Sequence, residues 1–158
     1  MHISGIFSLA LAIVFLITMS CGCISQTPVQ EQTVVPTPPV QAVESHKSGF
    51  TAYINGKYET ALDFYNKSLE SDPTYTRAWM DKGNVLTKLN RTPEAIAAYD
   101  AALALDTNIP QVWNSRGESL MTLGRYQEAL ESFNKALVIN PDYAKAQENK
   151  NLTLSKLT

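Results

Sequence analysis

The chain has 158 residues with 13 basic and 15 acidic side chains, a formal net charge of −2, which allows one ordinary domain plus a tail. From Ala42 onward there are 13 basic and 14 acidic side chains (the 15 less Glu31) with no clustered basic excess, and this speaks against nucleic acid as a partner. Both cysteines lie at or before Cys23, so no disulfide framework holds the rest together and its stability must come from packing.

The first predicted element is an apolar run from Ile3 to Met19, about 17 residues without a charge. It offers only Ser4, Ser8 and Thr18 as a polar face, too little for a soluble amphipathic helix. Residues 1–23 therefore read as a signal peptide or a membrane anchor. The run is barely long enough to span a bilayer, so a cleaved signal and an uncleaved anchor both stay open. The Gly22-Cys23 step that follows it resembles the end of a prokaryotic lipoprotein signal. That resemblance implies lipidation at Cys23, with Cys21 as the second candidate, and two chains at ~0.8 kcal/mol per buried CH₂ for stable anchoring. Ser20 to His46 contains neither Lys nor Arg, which favours the extracytoplasmic face of a prokaryotic cell envelope, secretion being the alternative. Sequons at Asn66, Asn90 and Asn151 are compatible with export.

Residues 24–41 are expected to form a linker. Thr27-Pro28 and Pro36-Thr37-Pro38-Pro39 break any helical or strand period, and proline stiffens such a chain toward ~3.1 Å per residue.

From residue 42 the same residue types return at a spacing of 34. Gly49, Gly83 and Gly117 fall in step, as do Ala61, Ala95 and Ala129, then Tyr65, Tyr99 and Phe133, then Leu69, Leu103 and Leu137. Trp79 and Trp113 share the step, with Ser45 at the first position. A fixed period of this length predicts stacked helical hairpins. Repeats are expected at 42–75, 76–109 and 110–143, with 144–158 as a capping helix. Within each repeat the turns fall at Asn55-Gly56, Asn90 to Glu94 and Gly124-Arg125, with Thr92 predicted as an N-cap and Pro93 at the first helical position. Gly83 and Ala95 are expected where the two helices of a hairpin cross, Trp79 and Tyr99 between one hairpin and the next.

Trp79-Met80-Asp81-Lys82-Gly83 with Pro93-Glu94-Ala95-Ile96, and Trp113-Asn114-Ser115-Arg116-Gly117 with Gln127-Glu128-Ala129-Leu130, resemble the tetratricopeptide repeat family over residues 42–143. The resemblance implies an all-α, right-handed α-solenoid of three helical hairpins plus a C-terminal capping helix. Departures are Ser45 for Trp, which predicts fraying at the start of the first helix, and Thr107 for the closing Pro. Lys82 and Arg116 stand where Leu is common, and their stems are expected to pack while their heads reach water.

The resemblance further implies a concave groove lined by the first helix of each hairpin. By position the lining is His46, Lys47, Phe50 and Tyr53, then Arg77, Met80, Asp81, Asn84 and Lys88, then Gln111, Asn114, Ser115, Glu118 and Met121. Chaperone-binding members clamp a terminal carboxylate with Lys, Asn and Arg. At the matching positions this chain has His46, Phe50, Asp81, Gln111 and Ser115, so a chaperone tail is not the expected ligand.

Chemistry finds little footing. His46 is the one histidine after residue 23, cysteine is absent there, and no Gly-rich phosphate loop occurs. A lone His on a first helix reads as solvent-facing, and Asp63, Glu70 and Asp72 as a solvated stretch. The expectation is a non-catalytic, membrane-tethered adaptor binding a protein or peptide, with no cofactor, metal or small-molecule substrate. The alternatives are a self-associating structural module or an accessory subunit of an envelope complex.

Overall fold

A computed structural model describes residues 38–158. The expected signal or anchor, both candidate lipidation cysteines and most of the linker lie outside the described residues. The described chain forms seven helices: α1 Val40–Ile54, α2 Tyr58–Ser71, α3 Thr76–Lys88, α4 Thr92–Leu105, α5 Pro110–Thr122, α6 Tyr126–Ile139 and α7 Ala144–Leu157. Each packs chiefly on the next in chain order. The odd-numbered helices also touch one another (α1 on α3, α3 on α5, α5 on α7), whereas α2, α4 and α6 do not. Helices that meet every second neighbour must lie on the inside of a curve, so α1, α3 and α5 line the inner face of an α-solenoid.

The turns explain why the chain reverses where it does. Gly56, Asn90 and Gly124 take left-handed backbone with φ of 71°, 58° and 71°. At each, two backbone bonds seal the preceding helix. Lys57, Arg91 and Arg125 donate their N–H to the carbonyls of Ala52, Leu86 and Leu120 at 2.9 Å, while Gly56, Asn90 and Gly124 donate to Tyr53, Thr87 and Met121. This is the Schellman arrangement, which needs a residue tolerant of positive φ at its corner. Between repeats, the side chains of Asp72, Asp106 and Asn140 accept backbone N–H groups two residues on. Such an Asx turn makes its own corner, which is why Thr107 can stand where the other repeats have proline.

Several expectations change. Thr92 is the first residue of α4 and makes no cap bond; Arg91 precedes it, and no helix here is capped by a side chain at its N-terminus. Arg91 instead grips Glu94 with two bonds of 2.7 and 2.6 Å, and Arg125 grips Glu128 identically. Ser45 is buried within a helix that begins at Val40, so the first helix is not frayed there.

The small residues also act differently. A Cβ placed on Gly83 would lie 2.4 Å from the Tyr99 ring, and one on Gly117 would lie 2.5 Å from Phe133. The glycine is thus the seat for an aromatic ring of its own hairpin, and Tyr99 closes α3 on α4 before its tip reaches the next repeat. Both rings are buried, at 2% and 0% exposure. Trp79 and Trp113 are half-buried, and their indole N–H groups donate to the Pro73 and Thr107 carbonyls at 2.8 and 2.9 Å. They pin the loop between repeats by giving each indole N–H a backbone carbonyl as partner.

Candidate functional site

The inner face carries an open recess of about 690 Å³ between α1 and α3, lined by Val43, His46, Lys47, Phe50, Thr51, Tyr75, Arg77, Met80 and Asp81. A second, of about 220 Å³, continues along α3 to α5 and is lined by Tyr53, Asn84, Thr87, Lys88, Tyr99, Ser115, Glu118, Ser119 and Thr122. A small hollow of about 40 Å³ between them adds Gln111 beside Met80 and Asn84. On α3 the residues Arg77, Met80, Asp81, Asn84 and Lys88 recur at three or four positions, and side chains at that spacing share one helix face.

The floor of the first recess is a polar tie. His46, expected in solvent, is buried, and its Nε2–H donates to Asp81 Oδ2 at 2.8 Å. Its ring lies 5.4 Å from that of Tyr65 and 5.2 Å from that of Tyr75. Asn84 Nδ2 donates to the other oxygen of Asp81 at 3.3 Å. Phe50 stands 51% exposed on the wall. Lys47 at the lip donates to Glu44 at 2.8 Å.

Tyr99 belongs to the second recess as well, which sequence reasoning missed. Its hydroxyl donates to Asn84 Oδ1 at 3.0 Å, coming up through the floor from α4. Burial pushes that hydroxyl's pKa up, opposed by the neighbouring Thr87 and Ser115 hydroxyls. The signal was present in the repeat itself: Phe133 fills the same place without a hydroxyl, and a buried phenol needs a partner. Val43, Thr51 and Tyr75 were missed too.

At the far end α7 changes the site. Asn149 Nδ2 donates to Asn114 Oδ1 at 3.0 Å and to Glu118 Oε1 at 2.8 Å, and Thr153 Oγ1 donates to Met121 Sδ at 3.1 Å. Asn114 is left 4% exposed. Of the third-repeat residues predicted for the groove, Gln111, Ser115 and Glu118 reach a recess, while Asn114 and Met121 sit against α7. The open groove is therefore a feature of α1, α3 and the near edge of α5.

The outer face differs between repeats. Lys135 places its ammonium 4.3 Å from the Trp113 ring centre. Ala101 occupies the equivalent position beside Trp79 and leaves a recess of about 310 Å³. Lys82 Nζ lies 5.0 Å from the Trp79 ring, and burial lowers its pKa. The Arg116 head, expected in water, is tied down: Nε donates to Asp100 at 2.6 Å and Nη1 to Ser132 at 2.8 Å.

Among the described residues no three His, Cys, Asp or Glu side chains converge as a metal site, and no helix is long and apolar enough to cross a membrane.

Paired helices stacked in register around an inner groove define an α-solenoid of helical hairpins. The model of one family, described as tetratricopeptide repeat, matches residues 51–110 and 80–144, and the chain belongs to that family. No curated protein sequence matches it. Among solved structures, the first such domain of Spaghetti (RPAP3), bound to an HSP90 peptide, is 21% identical with a TM-score of 0.73, over 74% of this chain and 93% of that one. The second domain of human RPAP3, in complex with an HSP70 peptide, is 23% identical with a TM-score of 0.71, over 75% and 98%. The Sgt2 domain of Aspergillus fumigatus is 16% identical with a TM-score of 0.72, over 77% and 82%. At such identities the likeness is one of fold.

Proposed function

We propose that the chain is a non-catalytic protein-interaction scaffold that holds an extended segment of a partner protein in the groove between α1, α3 and α5. Phe50 carries this reading. It is half exposed beside Met80 on the wall of the 690 Å³ recess, and a concave apolar surface with a few placed polar groups suits a ligand. Two proteins of similar fold are solved with peptides, which supports the class of ligand. A groove this short offers at most the standard ~800 Å² per partner, so micromolar affinity is expected.

The membrane tether rests on the sequence of residues 1–23, with lipidation at Cys23 or Cys21 and the module outside the cytoplasmic membrane of a prokaryote. Capture of partners from intact membranes tests the groove, comparing wild type with Phe50→Glu and Asn84→Glu. Recovery of the same proteins by all three baits would refute it. Mass spectrometry of the N-terminal peptide, with Cys23→Ser and Cys21→Ser as controls, tests the tether; an unmodified wild-type chain in the soluble fraction would refute that part.

A second reading, self-association, is favoured by α7. Leu154 occupies the register of Leu86 and Leu120, which are 1% and 0% exposed, yet is itself 41% exposed, with Leu152 at 48% and Leu157 at 45%. Light scattering across a concentration series separates the readings: a strict monomer removes this one.

A further inference from the structure

We infer that the groove selects an acidic extended segment, with two carboxylate side chains about five residues apart flanking bulky apolar ones. This rests on the groove reading above and adds the chemistry of the partner. Arg77 lines the first recess and Lys88 the second. They are eleven residues apart on α3, three turns and a small remainder, so both point to the groove, about 16 Å apart at 1.5 Å per residue. Among the described residues neither has a carboxylate at ion-pair distance.

The acidic groups of the groove are already engaged. Asp81 takes bonds from His46 and Asn84, and Glu118 takes one from Asn149. An incoming anion therefore meets two cations without local partners, whereas an incoming cation must compete with bonds the fold has made. An extended chain rises ~3.3 Å per residue, so a span of about 16 Å separates residues about five apart. Between the two cations stand Phe50 and Met80, which suit apolar side chains at the middle of that span. The carboxylates belong to side chains, so a free C-terminus is not required.

The test uses the full-length chain in detergent micelles and a fluorescent peptide with the core Glu-Ser-Leu-Leu-Ser-Glu, whose near symmetry makes chain direction immaterial. Amidated and free-acid forms should bind alike. Making Arg77→Ala or Lys88→Ala should each weaken binding about two- to fivefold, the range of one exposed ion pair, and replacing both glutamates by glutamine, which removes two pairs, about four- to twenty-five-fold. Raising the salt should weaken the glutamate peptide and leave the glutamine one unchanged. Equal binding of the two peptides, or no binding of either at millimolar concentration, overturns the proposal. Phe50→Glu distinguishes the two levels. If it abolishes binding of both peptides while charge is irrelevant, the groove stands and its acidic selectivity falls; if it changes nothing, the groove reading falls as well.

Discussion

Asn149 on α7 and Asn114 on α5 are joined by a 3.0 Å hydrogen bond across 35 residues of sequence, the same register that separates His46 on α1 from Asp81 on α3. At both ends of the solenoid, one inner helix is keyed to the next by a polar pair. At one end the pair floors an open recess. At the other, α7 lies over it.

Asn149→Ala should accordingly be destabilising. It removes the donor to Asn114, which is 4% exposed, and to Glu118. A buried acceptor left without a partner costs about 1–3 kcal/mol. Urea denaturation of the full-length chain in micelles measures it, and a loss below about 0.5 kcal/mol, the range of an ordinary surface substitution, would mean that water replaces the bond.

Gly83→Ala should fail for a different reason. Its Cβ would lie 2.4 Å from the Tyr99 ring, which is 2% exposed and has nowhere to retreat. Overpacking of this sort costs about 1–3 kcal/mol. Tyr99→Ala alone should cost about 3–5 kcal/mol, on the scale of a buried aromatic. Because the same contact is at issue, the double variant should be clearly less destabilised than the sum of the singles. Strict additivity would show that the ring does not rest on the glycine. Ala95→Leu, at a position with 0% exposure, should likewise lower the melting temperature.

The periodic part of this architecture was legible because it is local. Turn residues at 56, 90 and 124 must tolerate positive φ, and the apolar period follows from the helix, so both leave marks a reader can count. Side-chain destinations were less legible. Gly83 reads as a crossing point until the Tyr99 ring is seen above it. His46 reads as exposed because its partner Asp81 lies one repeat away, and nothing in the local sequence pairs them. Asn114 holds a groove position by register, yet α7 covers it, and the register of one repeat carries no information about what packs on its end.

The two Arg–Glu forks give a prediction on the acid side. Hydrogen bonds from Arg91 lower the pKa of Glu94, and those from Arg125 lower that of Glu128, with the nearby positive charge adding to each. A carboxylate held below its unfolded value contributes stability that is present above the unfolded pKa and lost as pH falls through the folded one. Both side chains are about half exposed, at 57% and 45%, so water screens the pairs and the signature belongs in their titration. Carboxyl chemical shifts of the intact chain should show both midpoints below the ordinary glutamate range. Arg91→Ala should return Glu94 toward that range and leave Glu128 where it was; a joint shift would mean that the forks are not the cause.

Arg116 offers the last test, since it links three helices. From α5 it donates to Asp100 on α4 at 2.6 Å and to Ser132 on α6 at 2.8 Å, with its guanidinium carbon 6.0 Å from the Trp113 ring centre. Asp100 is half exposed, at 51% of its side chain, so the ion pair by itself is worth about 0.2–1 kcal/mol. The stem packs as well as the head. Arg116→Ala should therefore lose more stability than Asp100→Asn does, and Arg116→Lys should fall between them, because an ammonium cannot donate to Asp100 and Ser132 in the same planar geometry. A double-mutant cycle of Arg116→Ala with Asp100→Asn, read by urea denaturation at low and high salt, should give a coupling that shrinks as salt is added. A coupling indifferent to salt would place the role of Arg116 in its packing and its bond to Ser132, with Asp100 a bystander.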